Sequence, residues 1–276
     1  MKQPVFRFRD RVLSLGERTY IMGIINVTPD SFSDGGDRFS AADALAAAKE
    51  MEQAGADFLD IGGQSTRPGH IPISAEEEWQ RLEPVLPALI GQTTLPISVD
   101  TFYPTVAERA LALGCHIIND VSGVVAPQMA AVIHEYQAGW VLMHADEESA
   151  SEICGLVHDR LSAMRQAAIA LGVPSEQLCL DPGIGFGKTP EQNLALIAGT
   201  ADVKLSGNAY LLGASRKRVI AAMVGDIPPN QRDAGTHAAH SIGILGGADI
   251  LRVHDVAGAV QAACVTDQLK GRIKHE

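Results

Sequence analysis

Long apolar runs are missing from this chain: no stretch approaches the ~20 consecutive apolar residues that a membrane span needs. The opening segment Met1-Lys2-Gln3-Pro4-Val5-Phe6-Arg7-Phe8-Arg9-Asp10 also lacks the apolar core of a signal peptide. Positive charge is scarce, with 22 Lys and Arg against 33 Asp and Glu and a formal net charge of −11. Such a surface repels the phosphates of nucleic acid and anionic lipid, so neither nucleic acid nor membrane is an expected partner. An anionic ligand would need a local cluster of cations. Cysteine is sparse and unpaired, at Cys115, Cys154, Cys179 and Cys264, with no Cys-x-x-Cys. Buried thiols in a reducing, cytoplasmic setting are the expectation. No linker or low-complexity stretch divides the chain, and residues 1–276 are read as one domain. A chain of 276 residues, 46% hydrophobic and 20% charged, is globular and long enough to need no disulfide or metal staple.

What is present is an alternation of short apolar runs with longer amphipathic ones. It predicts strands at 20–25, 58–62, 96–100, 116–120, 140–144, 178–181, 209–213 and 250–254. Helices are predicted at 41–54, 75–90, 105–113, 127–136, 151–171, 192–198, 216–223 with 236–245, and 257–269. Strands that are apolar throughout are buried on both faces, as in a parallel sheet covered by helices. Eight units of about 34 residues predict an α/β fold, a single (β/α)8 TIM barrel, with residues 1–19 forming a short N-terminal hairpin. An open doubly wound sheet would repeat in a similar way. Ala-Gly or Leu-Gly junctions at 54–55, 113–114, 138–139 and 171–172, and Gly246-Gly247, precede strands. Glycine there is expected to supply the left-handed residue at a helix C-cap.

In such a barrel the chemistry lies at the C-terminal ends of the strands. Those ends read Asn26, Asp60, Asp100, Asn119, His144, Asp181, Ser215-Arg216-Lys217 and Arg252 with His254. A lone Asp or Asn in such a place is commonly a helix N-cap, but so many on one face describe a site. Asp100, Asn119 and Asp181 rise from apolar strands, with Met143 and Phe186 nearby. Carboxylates and an amide in an apolar slot suit a flat heterocycle carrying adjacent N–H donors. Arg67, Lys217, Arg252 and His254, with Asn26 across the mouth, describe an anion site for a diphosphate or carboxylate. Arg252 and His254 are two apart, so one strand would point both inward. Two loops, 26–36 and 62–69, are rich in Gly, Pro and small polar residues but carry Phe, Asp and Arg, as lids do.

Two tempting motifs fail. In Asp181-Pro182-Gly183-Ile184-Gly185-Phe186-Gly187-Lys188-Thr189, Pro182 stands where a P-loop needs its first glycine, and the glycine spacing misses G-x-G-x-x-G. No H-x-H or H-E-x-x-H occurs to point to a zinc hydrolase.

The strings G-I-I-N-V-T-P-D-S-F-S-D-G-G, D-I-G-G-Q-S-T-R-P-G, S-V-D-T, I-I-N-D-V, D-P-G-I-G-F-G-K, G-A-S-R-K and G-G-A-D-I-L-R-V-H-D-V follow one another from about residue 20 to about residue 269. In kind and order they resemble the dihydropteroate synthase family, whose members are (β/α)8 barrels. The resemblance implies a transferase of folate biosynthesis. It would condense 6-hydroxymethyl-7,8-dihydropterin diphosphate with 4-aminobenzoate by an SN1-like displacement. Asp100, Asn119, Met143, Asp181, Phe186 and Lys217 would hold the pterin. Asn26, Arg67, Arg252 and His254 would bind the diphosphate, and Phe32, Thr66, Arg67, Pro68 and Ser215 the aminobenzoate. Asp100, Lys217, Arg252 and His254 would carry the catalysis, with Mg2+ as cofactor on Asn26 and Asp34. A homodimer is also implied. The chain departs from the family pattern in a short acidic loop after His144, in Gln64 where Glu is common, and in Tyr103 where Lys is common. A non-catalytic pterin-binding paralogue and a methyltetrahydrofolate-binding methyltransferase barrel remain as alternatives.

Overall fold

The computed structural model describes residues 3–28, 40–65, 71–147 and 152–272. Among these, β1 (Val5–Phe8) and β2 (Arg11–Ser14) form an antiparallel hairpin. The repeat then runs β3 (Tyr20–Asn26), α1 (Ala41–Gln53), β4 (Phe58–Gly62), α2 (Ala75–Leu82), α3 (Leu86–Ile90), β5 (Ile97–Asp100), α4 (Pro104–Leu113), β6 (Ile117–Asp120), α5 (Pro127–Tyr136), β7 (Gly139–Met143) and α6 (Ile153–Ala170). It continues with β8 (Leu178–Asp181), α7 (Pro190–Ala198), α8 (Thr200–Val203), β9 (Ala209–Leu212), α9 (Arg218–Val224), α10 (Asp233–Leu245), β10 (Ile250–Val253) and α11 (Val256–Lys270). The eight strands β3 to β10 close into a parallel barrel, β10 returning to pair with β3, which settles the choice against an open sheet.

The alternation of side chains along each strand separates two cores. Outward residues such as Ile21, Leu59, Ile61, Val99, Ile118, Trp140, Leu180, Leu212 and Leu251 pack beneath the helices. Inward residues Tyr20, Met22, Phe58, Ile117, Val141, Cys179, Ala209, Leu211 and Ile250 fill the barrel interior with Phe6 and Phe8 of the hairpin. Phe8 lies edge-on to Phe58 at 5.7 Å, so the hairpin plugs the N-terminal end of the barrel. Burying each phenylalanine contributes about 1.5–3 kcal/mol, enough to hold so short a hairpin in place.

Three sequence expectations are corrected by the structure. The single helix predicted over 75–90 is α2 and α3, interrupted at residues 83–85. Pro87 lacks an N–H and its ring would clash with the carbonyl four residues earlier, so the helix cannot run through. Gly55, Gly114, Gly172 and Gly247 do take positive φ at helix ends, but Gly139 does not. Gln137 supplies the left-handed residue after α5, at φ 51°. Gly139 instead makes room: a Cβ there would lie 2.8 Å from Phe6 Cζ and 3.1 Å from Phe8 Cβ. Of the four free thiols, Cys115 and Cys179 are buried, Cys154 is half-buried and Cys264 is exposed, so burial holds for only part of the set. No helix among the described residues is long and apolar enough to cross a membrane.

Candidate active site

The inward face of each strand is apolar near the plug and polar at the opposite, C-terminal end. Asp60, Asp100, Asn119 and Asp181 are each at most 6% exposed there. Register sets them side by side: Asn26 pairs with Gly62, Gly62 with Asp100, Asp100 with Asn119, and Met143 with Asp181. Arg252 stands among them. Its Nε donates to Asp60 Oδ2 at 2.6 Å and its Nη2 to Asp100 Oδ2 at 2.8 Å. Asn119 Nδ2 donates to the same Asp60 oxygen at 3.1 Å. One guanidinium therefore ties two acids, and one acid orients the amide.

Asp181 is held differently. Its Oδ1 accepts the backbone N–H of Gly183 at 2.7 Å. On the other side a Cβ at Gly213 would lie 3.9 Å from Asp181 Oδ2 and 3.8 Å from Arg252 Cβ. Asp181 and Arg252 thus flank one glycine on the same rim. Gly183 has φ +71°, and a Cβ there would fall 1.9 Å from the His144 carbonyl oxygen, so the turn that carries the N–H needs glycine. Lys188 is turned back on this loop, donating to the carbonyls of His144 at 3.0 Å and Phe186 at 2.9 Å. That geometry is unlike a P-loop lysine, which must reach outward to phosphate.

Lys217 reaches in from the segment after β9. Its ammonium donates to the Ile184 carbonyl and sits 4.7 Å from the centroid of the Phe186 ring. Met143 is buried and Phe186 half-buried, so apolar and aromatic surfaces border the acids. Burial pushes the Asp100 carboxyl up to about 7, against the pull of Arg252 and with a further push from Asp60. Burial likewise raises Asp181, with Lys217 opposing it. It also lowers Lys217 to about 8, with Asp181 opposing. Asp60 Oδ1 and Asn119 Oδ1 are buried with no hydrogen-bond partner among the described residues. Stranded acceptors of this kind are met by ordered water or by the N–H donors of a ligand.

On the rim, Ser215 Oγ lies 2.9 Å from His254 Nδ1 and accepts the His254 backbone N–H at 3.2 Å. The structure therefore brings together Asn26, Asp100, Asn119, Met143, Asp181, Phe186, Ser215, Lys217, Arg252 and His254 around the C-terminal mouth. Phe32, Asp34, Thr66, Arg67 and Pro68 lie outside the described residues, as do residues 148–150 of the acidic loop.

Sequence reasoning named Asp60 as a strand end and gave it no role, although it is fully buried and accepts from both Arg252 and Asn119. Its signal was available: an acid two positions after Phe58 shares that residue's inward face. Glu78 was missed outright. It is fully buried, accepts from Gln64 Nε2 at 2.9 Å and from Thr101 Oγ1 at 2.5 Å, and is raised by burial. In sequence it hides within Glu76-Glu77-Glu78, which reads as a solvated first helical turn. Its bond to Gln64 places one of the departures from the family pattern. Another, Tyr103, donates its hydroxyl to the Ile73 carbonyl at 2.6 Å.

Residues 22–254 match a family model described as pterin binding enzyme. The chain is 43% identical over 263 residues to a dihydropteroate synthase of Synechocystis, spanning 92% of this chain and 91% of that one. A dihydropteroate synthase of Bacillus subtilis is 42% identical over 277 residues, spanning 98% and 96%. Among solved structures, Xanthomonas albilineans dihydropteroate synthase with 4-aminobenzoic acid aligns with a TM-score of 0.91 at 41% identity, covering 98% of this chain and 99% of that one. The same enzyme in complex with 7,8-dihydropteroate aligns with a TM-score of 0.87 at 39% identity, covering 96% and 99%. The chain belongs to the dihydropteroate synthase family of pterin-binding enzymes.

Proposed function

We propose that this protein joins 6-hydroxymethyl-7,8-dihydropterin diphosphate to 4-aminobenzoate, giving 7,8-dihydropteroate and diphosphate. The observation that carries this reading is the Arg252 fork on Asp60 and Asp100, with the Asp60 and Asn119 acceptors left over beside it. A pterin edge presents adjacent N–H donors, which suit those acceptors and the Asp181 carboxylate. Lys217 meets the ring's carbonyl oxygen, and Met143 and Phe186 border its faces. Arg252 and His254, with Asn26 and Arg67, take the diphosphate. Ser215, with Phe32, Thr66, Arg67 and Pro68 on the loops, takes the aminobenzoate.

In the reaction the C–O bond to diphosphate breaks with its electron pair leaving on oxygen. The amine lone pair of aminobenzoate then forms the C–N bond, and the nitrogen passes its extra proton to water or to the released diphosphate. Positive charge develops on the pterin methylene and its conjugated ring, where Asp100 would stabilise it in a water-poor site. An aniline needs no strong base, so positioning and electrostatics do most of the work. The displacement is SN1-like in this reading.

Magnesium fits the donor set. It binds through one or two protein oxygens together with substrate phosphate and water. No group of three or more acidic, His or Cys ligands forms a cage among the described residues. Asn26, at the end of β3, and Asp34 would hold the ion, and when bound it would supply charge neutralisation to the departing diphosphate. A homodimer and a cytoplasmic location belong to the same reading. Ile242, Val265 and Leu269 on α10 and α11 are 48%, 60% and 50% exposed, apolar surface that a second copy would cover.

The test is incubation of the protein with pterin diphosphate, aminobenzoate and magnesium, following dihydropteroate and free diphosphate. Both should appear in equal amounts. Pterin binding without product would indicate a non-catalytic paralogue. Methyl transfer from methyltetrahydrofolate in its place would overturn the proposal.

A further inference from the structure

Three non-glycine residues among those described have positive φ. Two of them, Arg9 and Gln137, meet at the floor, where the Arg9 amide donates to the Gln137 carbonyl. The third, Arg216, lies at the mouth, between Ser215 and Lys217, at φ 59°. An arginine gains nothing from that conformation by itself, so the surroundings must impose it.

What imposes it is one stripe of α10 and its cap. Arg232, Thr236 and His240 recur every four residues and are 9%, 1% and 1% exposed. Thr236 Oγ1 accepts the Arg216 N–H at 3.1 Å, while donating to the Arg232 carbonyl at 2.9 Å. Arg232 Nη1 donates to the Arg216 carbonyl at 3.1 Å. His240 Nε2 accepts the Ala214 N–H at 3.2 Å, so its proton is on Nδ1. Asp233 takes the Arg216 side chain in a two-pronged grip, Nε to Oδ1 and Nη2 to Oδ2, each at 2.7 Å. Backbone N–H, backbone carbonyl and guanidinium of one residue are therefore all held by α10 and the residue that caps it. The consequence falls on its neighbours: Ser215 is directed to His254, and Lys217 to Ile184 and Phe186.

We infer that Arg216, gripped by Arg232, Asp233 and Thr236 while His240 holds the neighbouring Ala214 amide, is a positioning residue that sets the spacing between the Ser215–His254 pair and the Lys217 ammonium. It thereby aligns the amine acceptor with the pterin. The inference rests on the proposed function for what the spacing serves, while the grip itself is read without catalysis. Arg216 touches no reacting atom; its effect passes through Ser215 and Lys217.

The experiment compares the wild type with Arg216→Ala, Asp233→Ala, the double variant and Arg216→Lys. Two readouts are taken: steady-state kinetics with both substrates, and acylation of Lys217 by acetic anhydride, quantified by peptide mass spectrometry against exposed Lys49. Each alanine variant should lower kcat/KM by about a hundredfold, the penalty of a roughly 1 Å misplacement. The double variant should lose no more than the worse single one, because the pair acts as a unit. Arg216→Lys keeps the charge without the fork and should recover part of the loss. Lys217, released from Ile184, should acylate severalfold faster in both alanine variants. Unchanged Lys217 acylation in Asp233→Ala, or losses that multiply in the double variant, would overturn the inference. Should Arg216→Ala fail to fold, Asp233→Ala and Asp233→Asn decide it by the labelling readout. A wild type that makes no dihydropteroate refutes the proposed function, and the labelling still decides the grip.

Discussion

Replacing Asp60 with Ala tests the centre of the site. Asp60 is fully buried and is joined to Arg252 at 2.6 Å, with Asn119 leaning on the same oxygen. With charge centres about 4 Å apart and an effective dielectric of 20, the Asp60–Arg252 attraction is about 4 kcal/mol before desolvation. Two terms reduce the loss. Arg252 keeps Asp100 at 2.8 Å, and removal of Asp60 relieves its repulsion of Asp100. Deleting one partner of a buried pair costs about 3–5 kcal/mol when the other charge is stranded, and here it is only half stranded. The expected cost is about 2 kcal/mol of folding stability in urea unfolding, and pterin affinity by calorimetry should fall as well, because the ligand's N–H donors lose the Asp60 acceptor. Asp60→Asn keeps an acceptor for Asn119 and should fall between the wild type and Asp60→Ala. Both variants should also lower the Asp100 ionisation from about 7, because Asp60 is one of the charges that raise it. Pterin affinity within threefold of the wild type in Asp60→Ala, with the pH dependence unmoved, would refute the assignment.

Asp181→Ala should abolish measurable pterin binding, since it strands both the ligand's donors and the Gly183 amide; unchanged affinity in the same titration contradicts the role. The pH dependence of stability should run opposite to the usual acid case. Asp100 is raised to about 7, so the folded state holds a proton that the unfolded chain has lost, and its contribution falls as pH rises from about 4 to 7. Lys217 is lowered to about 8, so stability regained above that value should appear in thermal melts up to the ordinary lysine range. Gly139→Ala should cost about 1–3 kcal/mol in urea unfolding through the clash with Phe6 and Phe8, with kcat per folded molecule unchanged because the plug and the mouth are at opposite ends.

The sequence by itself determined the repeat of eight strand–helix units. Apolar strands with polar last residues, spaced by amphipathic helices, fit a parallel sheet covered on both sides, open or closed, and the pairing of β10 with β3 is what closed it. It also exposed most of the mouth, because Asp100, Asn119, Asp181 and Arg252 each interrupt an apolar run, and a polar or charged group within such a run needs a reason. The break between α2 and α3 was legible too, in Pro84 and Pro87, had proline been weighed above the apolar period. Tertiary structure alone decided who partners whom. Asp60 and Arg252 are 192 positions apart and meet only because β10 closes on β3 and β3 pairs with β4. Glu78 looks solvated in its acidic run until Gln64 and Thr101 arrive from two other strand ends. Gly139 resembles a helix stop until the hairpin is seen beneath it. The φ of Arg216 belongs to α10 and not to its own neighbours. Local pattern depends on residues a few positions apart, whereas burial and charge pairing depend on which chain segments share a volume, and closing a barrel is what makes them share it.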